Sequence, residues 1–150
     1  MDALFHTRHF SLREANALVP TLQRSFVQAR SLREELQPIQ SRLRESSLPF
    51  EGGEIEIDPD QPQPMRELQA RGKELAASLI ALFHDLAQLG IEVKAVDGLC
   101  DFRTRFGGRT VYLCWRFGEE RITHFHELGT GFSGRKPLPE GAEFVGELLH

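Results

Sequence analysis

No apolar stretch in this sequence approaches the roughly 20 residues that cross a bilayer, so no membrane passage is expected. Residues Met1–Phe10 hold no basic segment followed by an apolar run, so no export signal is expected either. Cysteine is scarce. Cys100 and Cys114 lack CxxC spacing and read as reduced thiols of a cytoplasmic protein. A basic balance is missing too: the net charge is −4 and the pI near 5.9. That argues against non-specific binding to nucleic acid or to an acidic membrane as the main activity. Lysine is scarce as well, with three against fifteen arginines.

What is present describes one soluble domain over residues 1–150, long enough to bury a core. Ser11 and Glu14 form an S-x-x-E capping box with Phe10 before it as a staple residue. Leu12, Ala15, Val19, Leu22, Phe26 and Ala29 then repeat at helical spacing, continued by Leu32, Leu36, Ile39 and Leu43. The pattern predicts helix over about 12–45, bent near Pro20, with Pro38 a second interruption. Residues 46–63 are rich in turn formers and place five acids within 51–60, which reads as an exposed, protease-sensitive connector. A second helix starts at Pro64 and ends at Gly90. Its Met65, Leu68, Gly72, Leu75, Leu79, Leu82, Leu86 and Leu89 keep heptad a/d spacing. Gly72 on that seam implies close approach of the partner helix.

From Ile91 the period changes to two. Strands are predicted at 91–95, 99–106, 109–117 and 121–128, with Gly107-Gly108 as a type I′ turn and Gly118-Glu119 as a two-residue turn. The fold class is therefore α+β: a long antiparallel two-helix hairpin (11–90), then a four-stranded antiparallel β-meander (91–128). A loop tail (129–150) follows, with one helical turn near 142–149.

Turn length decides which face each side chain occupies, because a one-residue slip inverts a strand. Two-residue turns pair Phe102 with Leu113, Asp101 with Cys114, and Leu113 with His124. His124 and His126 then share the apolar face with Cys100, Phe102, Leu113 and Trp115. Asp101, Tyr112, Cys114 and Arg116 take the other. A three-residue second turn would move both histidines to the polar face.

His124 and His126, at i and i+2 on one strand, point the same way and suit a shared metal, though Cys100, Asp101 or Glu127 would have to complete the set. The same spacing fits one hydrogen-bonded core histidine with a neighbour at its edge. Gly129–Gly134 matches G-x-G-x-x-G after a strand, but Arg135-Lys136-Pro137 follows where a dinucleotide fold needs a helix. What survives is an anion-binding nest of glycine backbone beside Arg135, or a tight turn with solvated bases. The basic 99–136 segment, with seven Lys/Arg against four Asp/Glu, has too few stacking aromatics on its basic face for single-stranded nucleic acid. Cys114 beside Arg116 is a conceivable nucleophile, but no general base lies on its face in the preferred register.

The segments Phe10–Pro20, Gly90–Lys94, Leu99–Phe102, Leu113–Glu119 and His126–Leu138 resemble an uncharacterised bacterial family, domain of unknown function 2203. The resemblance implies no activity or cofactor. It does mark His126, Phe132, Gly134 and Arg135 as parts of a family signature. The expected function is a non-enzymatic cytosolic binding or interaction module, homodimeric through its helical seam. Its oxyanion ligand would sit at His126, Gly131, Phe132, Gly134 and Arg135. The alternative is a small metal- or anion-dependent enzyme centred on His124, His126 and Arg135, and a concave pocket would distinguish the two.

Overall fold

Ser11 accepts from the Glu14 amide and the Glu14 carboxylate accepts from the Ser11 amide, closing the expected capping box at the start of helix α1 (Leu12–Ala17). In this computed structural model, which describes residues 8–147, the first long helix is two helices. The chain leaves α1 at Leu18 and restarts as α2 (Val19–Glu45), with Pro20 in its first turn where a missing amide costs nothing. Pro38 stays inside α2. Helix α3 (Gln63–Gln88) ends at Gly90, whose φ of 91° permits a Schellman cap: the Gly90 amide bonds Ala87 and the Ile91 amide bonds Leu86.

Two compact units divide the chain, one of residues to Phe26 together with Asp85 onward, the other Val27–His84. In the helical unit, Leu36, Ile39, Leu43, Leu75 and Ala76 form a core with Ile55. Gly72 on α3 sits against Ile39, and a Cβ there would stand 3.0 Å from its methyl group, as its place on the seam implied. Arg71 bridges to Glu35 at 2.6 Å and also reaches Glu74. The connector is mostly exposed, as expected, with one exception. Its acids are solvated, but Ile55 is fully buried, with Leu48 and Phe50 packed beside it. The segment is a strap whose one fully buried side chain is Ile55, and the Asp58 amide donates to the buried Gln69 side chain.

The other unit carries an antiparallel sheet of five strands in sequence order, not the four expected. These are β1 (Glu92–Ala95), β2 (Leu99–Phe106), β3 (Arg109–Arg116), β4 (His124–His126) and β5 (Lys136–Pro137). The fifth comes from the segment expected to be loop. The β2–β3 register is as predicted, with Phe102 opposite Leu113 and Asp101 opposite Cys114 around Gly107-Gly108, both at positive φ.

The second turn is longer than two residues, and β4 is correspondingly short. Leu113 pairs with Phe125, and Tyr112 with His126. This one-residue shift is the alternative that moves both histidines onto the face of Asp101 and Cys114. The connection is held from both outside and inside the hairpin. Asn16 accepts from the Ile122 amide, while Gln23 and the Trp115 indole both donate to the Glu119 carbonyl. Phe125 takes the vacated apolar position and packs near Phe106 and Phe144. That face is covered by Phe10 against Phe102 and Phe26 against Trp115. No helical turn forms over 142–147; Val145 instead bridges Arg105.

Candidate functional site

Strand alternation places Glu92, Asp101, Arg103, Tyr112, Cys114, His124 and His126 on the second face of the sheet. Such a face is ordinarily solvated, yet Asp101, Cys114 and His126 are at most 3% exposed. His126 Nε2 lies 3.1 Å from Asp101 Oδ2, and Nδ1 lies 2.7 Å from the Glu127 carbonyl. A carbonyl only accepts, so Nδ1 carries a proton and donates it. One donor atom each of Asp101, Cys114 and His126 lies within 4.8 Å of the other two. Among the described residues Asp101 Oδ1 is buried without a hydrogen-bond partner.

Burial pushes the Asp101 carboxyl above its ordinary value, against the pull of His126. Burial and the neighbouring Asp101 likewise push the Cys114 thiol up to about 12, although Arg135 acts the other way. Cys100, on the opposite face, is also raised by burial. Neither thiol is ionised at neutral pH, and both His126 nitrogens are engaged, so the nucleophile–base arrangement considered for Cys114 is not assembled.

His124 shares the face but stays outside this cluster, with Nδ1 2.8 Å from the Thr123 hydroxyl. The HxH spacing thus brings only one of its two histidines to the donor group. The sequence offered Asp101 as a completing ligand but set it on the wrong face, because residues 117–123 connect β3 and β4 in place of a two-residue turn and shift the register by one.

The glycine-rich corner begins directly after His126. Both the amide and the hydroxyl of Thr130 donate to the Glu127 carbonyl, and Phe132–Gly134 makes a single 3-10 turn. A Cβ on Gly134 would meet Thr130 at 2.5 Å, which explains glycine there. Arg135 donates to Glu119 at 3.0 Å and lies 4.3 Å over the Phe132 ring. Arg116 approaches the same ring at 5.4 Å. The expected ligand set is therefore divided: His126 is buried in the Asp101 cluster, Arg135 is paired with Glu119, and Gly131 and Gly134 shape the turn.

Phe132 also lines a cleft of about 370 Å³ with Leu99, Phe117, Gly98, Asp97 and Arg116. Among the described residues the Arg116 guanidinium forms no ion pair; its recorded neighbour is the Phe132 ring. No sequence motif pointed to this cleft, since it joins the β1–β2 turn, the end of β3 and the corner.

The model of the uncharacterised conserved protein family DUF2203 matches residues 8–138. The chain belongs to that family. The stretch matched to DUF2203 contains the whole cluster, the corner and Arg116. No curated protein and no solved structure is significantly similar to this DUF2203 chain. No helix of the described residues is long and apolar enough to cross a membrane.

Proposed function

We propose that this DUF2203 protein is a non-enzymatic binding module for a small organic anion with an apolar body, held in the Arg116–Phe132 cleft. The observation that carries this reading is a guanidinium with no ion pair among the described residues, at the wall of a 370 Å³ cleft lined in part by the apolar side chains of Ala95, Leu99, Phe117 and Phe132. That volume and that lining match a small-molecule site. A carboxylate or phosphate would take the Arg116 fork, and the body of the ligand would lie against Phe132, Phe117 and Leu99. Asp97 adds an acceptor for any donor the ligand carries. The reading keeps the glycine corner as part of the site, because the corner presents Phe132. It moves the anion from Arg135, already neutralised by Glu119, to Arg116.

Two free, buried cysteines fit a reducing cytoplasm. Val27, Ile57 and Ile80, each about half exposed or more on the helical unit, support self-association as a homodimer. Sedimentation of a 17.0 kDa species alone at high micromolar concentration would count against the dimer.

Calorimetric titration of benzoate and inorganic phosphate tests the ligand reading, with benzylamine as the cationic control. Wild type is expected to bind benzoate, and Arg116→Gln to weaken it by about tenfold or more, as loss of a charge-assisted pair predicts. Equal affinity in the two proteins, or binding of benzylamine alone, would overturn the reading.

A further inference from the structure

The contact between His126 and Asp101 is not a self-sufficient hydrogen bond. Nδ1 carries the imidazole proton, because its partner is the Glu127 carbonyl. In the neutral ring Nε2 is then a bare lone pair, and it faces a carboxylate oxygen at 3.1 Å. Two acceptors this close need a cation between them, either a proton or a metal ion. A single proton satisfies that pair and nothing else. Among the described residues it leaves Asp101 Oδ1 buried without a full hydrogen bond, with only the weakly donating Cys114 thiol beside the carboxylate.

We infer that Asp101, Cys114 and His126, one from each of three adjacent strands, form a site for a single transition-metal ion of the zinc class. The inference is independent of the Arg116 cleft and uses none of its residues. Ligand chemistry favours this class. A thiolate, an imidazole and a carboxylate suit zinc and its neighbours, whereas magnesium and calcium take oxygen alone.

Charge favours it as well. A divalent ion with one thiolate, one carboxylate and a neutral imidazole is neutral overall, the condition for burying so much charge. Metal-bound histidines ordinarily donate their other ring N–H to a carbonyl or carboxylate, as His126 does to Glu127. Donor atoms at most 4.8 Å apart need only a small contraction to meet bond lengths of about 2.0–2.3 Å around one ion. Asp101 Oδ1, or a water, supplies the fourth position. His124 is not a ligand: its ring is held by Thr123.

The test is to unfold the purified, untagged protein with chelator, refold it with zinc or with cobalt, and measure bound metal and the optical spectrum. Wild type should retain about one ion per chain, and the cobalt form should show sulfur-to-cobalt charge transfer with tetrahedral visible bands. Cys114→Ser should lose the charge-transfer band, while Cys100→Ser and His124→Ala keep it. Folded wild type that retains no metal, or a band that survives Cys114→Ser, overturns the inference. Should Cys114→Ser fail to fold, X-ray absorption at the zinc edge of wild type decides the matter. A shell with about one sulfur and two to three nitrogen or oxygen neighbours supports the site, and an all nitrogen–oxygen shell overturns it.

Discussion

Asp101 Oδ2 and His126 Nε2 stand 3.1 Å apart although 25 residues separate them, and both side chains are almost wholly buried on the sheet face expected to be solvated. Removing one member of such a pair strands the other without water. In the presence of chelator, Asp101→Ala is expected to lower the unfolding free energy by about 3–5 kcal/mol. Urea denaturation measures it. The double variant Asp101→Leu with His126→Leu should recover much of that loss, since an apolar pair needs no partner. A cost under about 1 kcal/mol for the single variant would show that the pair does not form in solution.

The strap over the helical unit hangs on Ile55. Ile55→Ala should destabilise by about 2–5 kcal/mol, the range for emptying a filled core position. Limited proteolysis gives a second reading. Wild type should resist cleavage at 53–57, and Ile55→Asp should be cut there first. Rapid cutting of wild type at those positions would mean that the strap is loose.

Gly134 is required by space rather than by backbone angle. An added Cβ would press on Thr130 at 2.5 Å, so Gly134→Ala should cost about 1–3 kcal/mol through overpacking. It should also weaken benzoate binding by displacing Phe132. Gly129→Ala, with nothing near its Cβ, is the control and should leave both unchanged.

Burial opposes ionisation of Glu92, yet hydrogen bonds from Tyr112, Lys94 and Arg103 together hold its carboxyl below the ordinary glutamate value. The folded state therefore binds fewer protons than the unfolded chain around that value. The stabilisation is present above the unfolded pKa of about 4.3 and is lost as pH falls through the depressed folded value. Melting temperature measured from about pH 6 to about pH 3 should show the advantage of wild type over Glu92→Gln shrinking toward the acid end. A constant difference across that range would remove Glu92 from the acid response.

The local devices were legible because each is closed by residues a few positions apart. The Ser11–Glu14 box, the glycine cap at Gly90 and the Gly107-Gly108 hairpin all form where spacing and residue type demanded them. The helix-to-strand order followed from the change of hydrophobic period, which is also local. The connector was half legible. Its acids told of solvent, but a single Ile55 among them carries no periodicity to reveal that it is buried.

What only the tertiary structure decided is the β4 register, and with it the candidate site. Local chemistry favoured a two-residue turn at Gly118-Glu119, but residues 117–123 form a longer connection between β3 and β4. Asn16 and Gln23, about a hundred positions away, choose the longer turn by bonding Ile122 and Glu119. One residue of slip turns His126 from the apolar layer to Asp101 and Cys114, because side chains alternate strictly along a strand. Local residue pattern determined the kind of fold, and contacts remote in sequence determined which side chains meet.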